Sequence, residues 1–403
     1  MTDKKTIAVF FGGRSPEHDV SVVSGLQALQ AIDGTKYNAF PVYITTEGAW
    51  YTGDALRERK NYLPDRTMLA SLTEVTLDVS ANGPPKGRLV PKKKALFGGV
   101  KLIEFDVAIP AFHGPFGEDG NIQGLFETAK TPYTGMRTLA SAVTMDKGLS
   151  KRLMQSLGIP TLPFAILRRA DQGYSLPVEE IEAQLQDLKY PVCLKPCHLG
   201  SSIGVAKCKT AQDVSACLPA IFKYDSAAIV EPFVENLIEY NVAVAHMNGG
   251  VVTSALERPK NTEELLDFKQ KYLSGGDNKT GQKSPGQASE GMLSLTREIN
   301  PTLPDGREAD IRNWADTFYS AIDGTGAPRI DFIGNEKSGE IWMNEINPCP
   351  GSFGYFLWEA AKEPVLFTNL LTHLIEEALG YTRKMAMPAD PVPMDARLHK
   401  RPT

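Results

Sequence analysis

Residues Ile7-Ala8-Val9-Phe10-Phe11-Gly12-Gly13-Arg14-Ser15 decide the class of fold. An unbroken apolar run without alternation describes a strand buried on both faces, the habit of a parallel sheet. Gly12-Gly13 ends the run, and Val22, Val23, Leu26, Leu29 and Ile32 then recur at helical spacing. Further strands are expected at 39–44 and 105–110, the latter leading into His113-Gly114-Pro115-Phe116-Gly117-Glu118-Asp119-Gly120. Strands alternating with helices predict an α/β class and an open parallel sheet over residues 1–135. The Pro-, Gly- and Lys-rich stretch 77–100 reads as an inserted surface loop.

Beyond residue 135 the pattern changes. Met145, Leu149, Leu153 and Leu157 repeat every four residues and predict one helix, ended by Gly158-Ile159-Pro160. Pro191–Pro196 and Ala228–Phe233 read as short buried strands, with a helix over Ala211–Phe222 between them. Tyr240–Ala245 and Val251–Leu256 read as a hairpin turning at Asn248-Gly249-Gly250. Arg329–Ile333 and Ile341–Asn344 read as a second hairpin, and a final helix is expected over Pro364–Ala378. The expected partition is 1–135, 136–245 and 246–380, with a polar lid at about 262–290. A Pro-rich tail over 381–403 is expected to be disordered.

The chain has 403 residues, and 43 Lys+Arg against 48 Asp+Glu give a net charge of −5. That balance gives no drive toward nucleic acid or anionic lipid. The five cysteines are odd in number and fit no zinc spacing, so reduced thiols are the reading. Thr2-Asp3-Lys4-Lys5 is no signal n-region followed by a long h-region, and no stretch approaches the ~18 apolar residues of a membrane helix. A soluble, cytoplasmic protein is expected, with no nucleic-acid or membrane partner.

Standard nucleotide motifs are missing: there is no G-x-x-x-x-G-K-[ST] and no G-x-G-x-x-G after a strand. Gly200-Ser201-Ser202-Ile203-Gly204 matches the G-x-S-x-G elbow, with Ser202 as a hydrolase nucleophile. An elbow needs a helix after it, and Ile203-Gly204-Val205-Ala206 shows no helical period. A Gly-Ser-Ser loop between strands suits phosphate oxygens better, through backbone N–H groups and hydroxyls; a plain hairpin turn is the alternative. Asp331 follows Arg329 on one strand, and Glu345 and Asn347, two apart, share a face of an extended segment. Two carboxylates and an amide oxygen are hard donors of the kind Mg²⁺ takes, and Arg329 is placed for a phosphoryl group. Lys195 lies in an otherwise apolar strand and so calls for an anionic partner. Lys147 follows Met145-Asp146 and reads either as a phosphate ligand or as a solvated helix residue. Glu231 and Glu239 flank a strand end, where an adenine edge and a ribose would be held.

These segments together resemble the D-alanine–D-alanine ligase family of the ATP-grasp superfamily. The resemblance is carried by Phe11–Ser21, His113–Gly120, Pro132-Tyr133-Thr134-Gly135, Met145-Asp146-Lys147, Leu194-Lys195-Pro196 and Gly200–Val205. Lys271-Tyr272-Leu273-Ser274, Arg329–Phe332, Asn344–Asn347 and Pro350-Gly351 continue it in the family's order. It implies three α/β domains, the first an N-terminal open parallel sheet, with ATP between the second and third. It also implies a homodimer through the first domain. The implied reaction phosphorylates one amino-acid carboxylate and lets the amine of a second attack the acyl phosphate. Its product would be D-alanyl-D-alanine for peptidoglycan synthesis; a different acceptor amine is the alternative.

The same resemblance assigns Lys147, Lys195, Lys271 and Ser201 to ATP phosphates, Glu231 and the backbone at Val234 to adenine, and Glu239 to ribose. Asp331, Glu345 and Asn347 would hold Mg²⁺, two ions, with Mn²⁺ as an alternative. Glu17 would take the ammonium of the first amino acid and link to Ser201 and Tyr272, with His113 nearby. Arg329 and the Gly351 amide would stabilise the tetrahedral oxyanion. Two features depart from the family pattern. Glu231 to Tyr240 is one residue longer than usual. In Pro350-Gly351-Ser352-Phe353-Gly354-Tyr355-Phe356-Leu357-Trp358, Phe356 stands where a Ser commonly binds the second substrate's carboxylate. Either Ser352 replaces it, or the acceptor differs, or the rings simply pack.

Overall fold

The computed structural model describes residues 4–62, 68–80, 84–93, 101–171, 173, 175–200, 203–260, 297–304 and 306–384. Ser201, Ser202, Lys271, Tyr272, the lid expected at 262–290 and the tail beyond 384 lie outside the described residues.

The apolar run forms β1 (Lys5–Gly12), whose residues Ile7 to Phe11 are wholly buried. Helix α1 (His18–Ala31) returns over it and leads to β2 (Tyr37–Ile44). β3 (Trp50–Thr52), β4 (Thr73–Leu77), β5 (Gly87–Pro91), β6 (Ile103–Phe105) and β7 (Val107–Pro110) complete a sheet of order β6-β5-β4-β3-β2-β1-β7. β1 runs parallel to β2 and β7, as expected, and the remaining pairs are antiparallel. The sheet is thus mixed, with a parallel core extended on one side. The expected loop 77–100 is corrected by β5, which fills the middle of that stretch and pairs with β4. Gly12 sits at φ +93, and a Cβ there would lie 2.2 Å from the Ile44 carbonyl, so only glycine closes this turn.

Helix α2 (Asn121–Thr128) covers the second face of that sheet. Helices α3 (Thr138–Met145) and α4 (Lys147–Ser156) follow, separated at Asp146, which caps α4 by accepting from the Leu149 N–H. The helix expected from the four-residue repeat is α4; Met145, the first residue of that repeat, instead ends α3. Leu149 is exposed, and the buried face of α4 carries Lys147, Ser150, Lys151 and Met154. Leu153 and Leu157 of the repeat pack against the core of the third sheet, while the rest of the inward face is built partly from lysines.

A second sheet holds β8 (Ala165–Arg168), β9 (Val192–Pro196), β10 (Ala206–Cys208) and β11 (Ala227–Pro232), in the order β10-β9-β11-β8, all antiparallel. Helices α5 (Val178–Gln184) and α6 (Ala211–Phe222) back it. Thr210 and Asp213 form a capping box at the start of α6, which fixes that helix where its periodicity predicted it. The third sheet is β12 (Leu237–Met247), β13 (Gly250–Pro259), β14 (Arg297–Ile299), β15 (Arg329–Asn335) and β16 (Ile341–Asn347), ordered β14-β13-β12-β15-β16 and antiparallel. Helix α7 (Arg307–Ala321), with Met136, Ala140 and Met154, covers it.

The described residues end in α8 (Tyr355–Glu359) and α9 (Phe367–Lys384). Helix α9 runs three residues past Tyr381, where the tail was expected to begin. Its Leu370, Leu371, Leu374 and Ile375 join Ile7, Val9, Phe11, Leu26 and Ala243 in one core. The C-terminal helix therefore locks onto the N-terminal sheet, and that core is not confined to residues 1–135.

Candidate active site

The acidic row is set by strand register. In the antiparallel β15–β16 pair, Asp331 stands opposite Glu345 and Arg329 opposite Asn347. Neighbours directly across an antiparallel ladder have Cβ atoms about 5 Å apart, close enough to share an ion. The Arg329 guanidinium grips Asp331 with both arms, at 2.6 and 2.7 Å, and Asn347 Nδ2 donates to Asp331 Oδ2 at 2.8 Å. The register shifts between Asp331 and Phe332, leaving Asn344 as the extra residue of a β-bulge. Met343 and Ile346 are buried, and the bulge turns both Asn344 and Glu345 toward the cleft.

Three cations meet this row. Lys147 Nζ lies 3.4 Å from Glu345 Oε2 and donates to the Leu199 carbonyl at 2.7 Å. Lys195 Nζ donates to Asn344 Oδ1 at 3.1 Å. Burial opposes ionisation of Glu345, yet Lys147, Lys195 and Arg329 hold its carboxyl below the usual range. The anionic partner that Lys195 called for is Glu231, 2.6 Å away and 1% exposed. A second lysine, Lys151, sits 2.6 Å from the other Glu231 oxygen and 3.0 Å from Thr161 Oγ1. Burial alone would raise the Glu231 pKa, but the two lysines outweigh it and hold the group at about 2. Lys151 and Asn344 were missed. Lys151 lies one turn beyond Lys147, a spacing that signalled a shared face; nothing signalled a bulge at Asn344.

The pocket between the sheets is lined by Glu17, Gly114, Glu118, Lys147, Gly200 and Glu345, among others. Glu17 is buried at the start of α1. A Cβ on Gly114, at φ +72, would lie 2.5 Å from Glu17 Oε2, and one on Gly200 would lie 3.2 Å from it. Two glycine loops thus converge on this carboxylate, which brings Glu17 beside the residue preceding Ser201. Glu118, also missed, accepts from the Gly114 and Cys349 N–H groups at 2.7 and 2.9 Å. Burial and the charge of Glu17 push it up to about 8.

His113 is buried, its Nε2 2.8 Å from Ser24 Oγ, and burial pushes its pKa down to about 4, so the ring is neutral. Ser24 Oγ also accepts from the Ser352 N–H at 3.0 Å, and the Ser352 hydroxyl donates to Gln27 Oε1. Ser352 and Phe353, after Gly351, are left-handed at φ +53 and +59. Non-glycine residues hold that conformation only where the surroundings impose it. The rings beyond pack: Tyr355 stacks on Phe367 at 4.9 Å, Phe356 lies under the Arg297 guanidinium at 4.5 Å, and Trp358 is buried. Val234 is half-buried in the β11–β12 connection, and Glu239 is half-buried on β12 opposite Ile333. Ile203-Gly204 is a turn entering strand β10, so no helix follows Ser202 and the hydrolase elbow is excluded.

Asp331, Glu345 and Asn347 present hard oxygen donors against three cations, a donor set whose chemistry suits a divalent cation such as Mg²⁺. Among the described residues no cluster of three His, Cys, Asp or Glu is placed to hold a metal ion.

Residues 6–136 match the family model described as D-ala D-ala ligase N-terminus, and residues 153–376 that described as D-ala D-ala ligase C-terminus. The chain is 32% identical to D-alanine--D-alanine ligase A of Bradyrhizobium diazoefficiens over 95% of its own length and 97% of that protein's. It is 32% identical to the D-alanine--D-alanine ligase of Enterococcus faecalis over 93% and 99%. Among solved structures, the D-alanine-D-alanine ligase from Coxiella burnetii superposes with a TM-score of 0.74 at 24% identity, covering 95% of this chain and 96% of that one. The VanG D-Ala:D-Ser ligase from Enterococcus faecalis superposes at 0.69 with 26% identity, covering 94% and 100%.

Proposed function

Since this chain belongs to the D-alanine–D-alanine ligase family, we propose that it joins two D-alanines at the expense of ATP, an ADP-forming carboxylate–amine ligation that feeds peptidoglycan synthesis in the cytoplasm. The observation that carries the reading is the row Asp331–Glu345 with Asn347, ringed by Lys147, Lys195 and Arg329 and open to the pocket that holds Glu17. A plain binding site has no need of so many charges poised around one transferable group.

In this proposal ATP lies between the second and third sheets. Lys147 and Lys195 hold its phosphates, with Ser201 and Lys271; the Val234 backbone and Glu239 meet adenine and ribose. Glu231, expected at the adenine, has one oxygen gripped by each of two lysines and so acts there through Lys195. Asp331, Glu345 and Asn347 hold Mg²⁺, which neutralises phosphate charge when bound. Glu17, with Ser201 and Tyr272, receives the ammonium of the first D-alanine, and His113, neutral and fixed by Ser24, shapes that site. The carboxylate takes the phosphoryl group; the second amine attacks, its proton is lost, and phosphate leaves. Arg329 and the Gly351 amide steady the oxyanion as the carbonyl becomes tetrahedral. An acyl phosphate hydrolyses in water, so exclusion of solvent falls to the segment at 262–290. The enzyme acts as a homodimer in this reading, which light scattering checks.

A second reading concerns only the acceptor. Phe356 supplies no donor for a carboxylate, and the Ser352 hydroxyl is engaged by Gln27. An acceptor other than D-alanine fits that arrangement. The test is phosphate release over D- and L-amino acids, singly and in pairs, with mass spectrometry of products. D-Alanine alone should release phosphate and yield the dipeptide; release without amino acid would sink the ligase. Faster turnover with D-alanine plus a different amine would establish the second reading. If Ser352 binds the acceptor, Ser352→Ala raises the acceptor KM alone.

A further inference from the structure

Two residues before Gly200 stands a side chain that the chemistry above does not use. The Nδ1 of His198 is 2.8 Å from Asp225 Oδ1, and its backbone N–H donates to the other oxygen of that carboxylate at 2.7 Å. Its Nε2 lies 3.4 Å from Asp146 Oδ2. Asp146 is the cap of α4, and the next residue is Lys147, whose backbone N–H donates to the Cys197 carbonyl at 3.2 Å and whose Nζ donates to that of Leu199. Asp225 is buried and also accepts from the Ala227 N–H at the start of β11. One imidazole therefore ties together the cap of α4, the loop 197–200 and the start of β11.

With a carboxylate facing each nitrogen, the imidazolium is the form that can donate toward both, from Nδ1 to Asp225 and from Nε2 toward Asp146. The charged groups acting on it are Asp146, the cap of α4, and Asp225 from the turn before β11, while Lys147 and Arg168 lie near the neighbouring Cys197. Hydrogen bonds to Asp146 and Asp225 raise the ring to about 9, and the bond to His198 holds Asp146 at about 2.

We propose that His198 is a positioning residue for the nucleotide site: as a cationic brace it holds residues 197–200 and Lys147 in one arrangement, and neutralising it weakens nucleotide binding. This rests on the reading that Lys147 and the loop meet ATP phosphates. The probe is MgADP, its affinity measured by calorimetry from pH 7 to 10 for wild type, His198→Gln and Asp146→Asn. Asn caps a helix as well as Asp, so the second variant removes charge and keeps the cap. Both variants should bind MgADP about 10-fold more weakly at pH 7.5, each 1.4 kcal/mol corresponding to a factor of ten. Wild-type affinity should fall toward theirs above pH 9, while that of His198→Gln stays flat. In ¹⁵N-histidine spectra, the resonance lost in His198→Gln should report two protonated nitrogens at pH 7.5. A His198→Gln affinity within two-fold of wild type, or a neutral ring at pH 7.5, would overturn the brace. A wild type that binds no MgADP would instead overturn the ligase reading itself.

Discussion

Replacing Lys151 by Met tests the buried charge network beneath the nucleotide site. Lys151 is wholly buried, 2.6 Å from Glu231, which is itself 1% exposed and shared with Lys195. Met matches the length of Lys and fills the volume, so the substitution removes charge and little packing. Breaking a buried pair by deleting one partner costs about 3–5 kcal/mol, because the survivor stays buried without its counter-charge. Here Glu231 keeps Lys195 and Thr161 loses only a donor, which places the cost near the lower end, about 3 kcal/mol. At roughly 2–4 °C per kcal/mol that is a drop in Tm of about 6–12 °C, read by scanning calorimetry. Glu231→Gln should cost more, since it leaves the buried Lys151 and the mostly covered Lys195 facing each other. The double variant should then fall short of the summed losses by at least about 1 kcal/mol, the signature of groups in one network. A Lys151→Met protein melting within about 2 °C of wild type, or strict additivity, would refute the reasoning.

Glu345→Gln keeps the shape and removes one anionic ligand; turnover should fall about 100-fold, some 2.7 kcal/mol of barrier, with unchanged melting, and wild-type rates at limiting Mg²⁺ would take Glu345 out of the metal site. Gly114→Ala places a Cβ 2.5 Å from Glu17 Oε2 at φ +72; it should add about 1 kcal/mol of strain and raise the first amino acid's KM with ATP affinity retained, so an unchanged KM would separate Glu17 from that substrate. Glu118 has a folded-state pKa raised to about 8 from an ordinary 4.5; its contribution to stability is full below about pH 4.5 and lost as pH rises through 8. Melting followed from pH 5 to 9 should therefore fall more steeply for wild type than for Glu118→Gln, and parallel curves would show that Glu118 does not titrate there.

Much of this protein is local and was open to reading in order along the chain. The strand at Ile7–Phe11, the helix over Ala211–Phe222 and the hairpin turning at Asn248-Gly249 follow from periodicity and turn chemistry, which neighbouring residues set among themselves. The same holds for Asp331 with Arg329 and for Glu345 with Asn347, because residues two apart on a strand share a face whatever lies opposite. The demand of Lys195 for an anion was also local, since an apolar strand cannot bury a bare ammonium. What answered the demand was not. Glu231 reaches Lys195 only because β11 pairs with β9, and Lys151 reaches both because α4 turns lysines inward beside its leucines. Asp331 meets Glu345 through register, and Asn344 joins them through a bulge that residue types do not announce. The antiparallel extension of the first sheet and the docking of α9 beneath α1 likewise wait on the whole chain. Sequence spacing determines faces. Only tertiary packing determines partners, because a contact between distant residues depends on every element that brings them together.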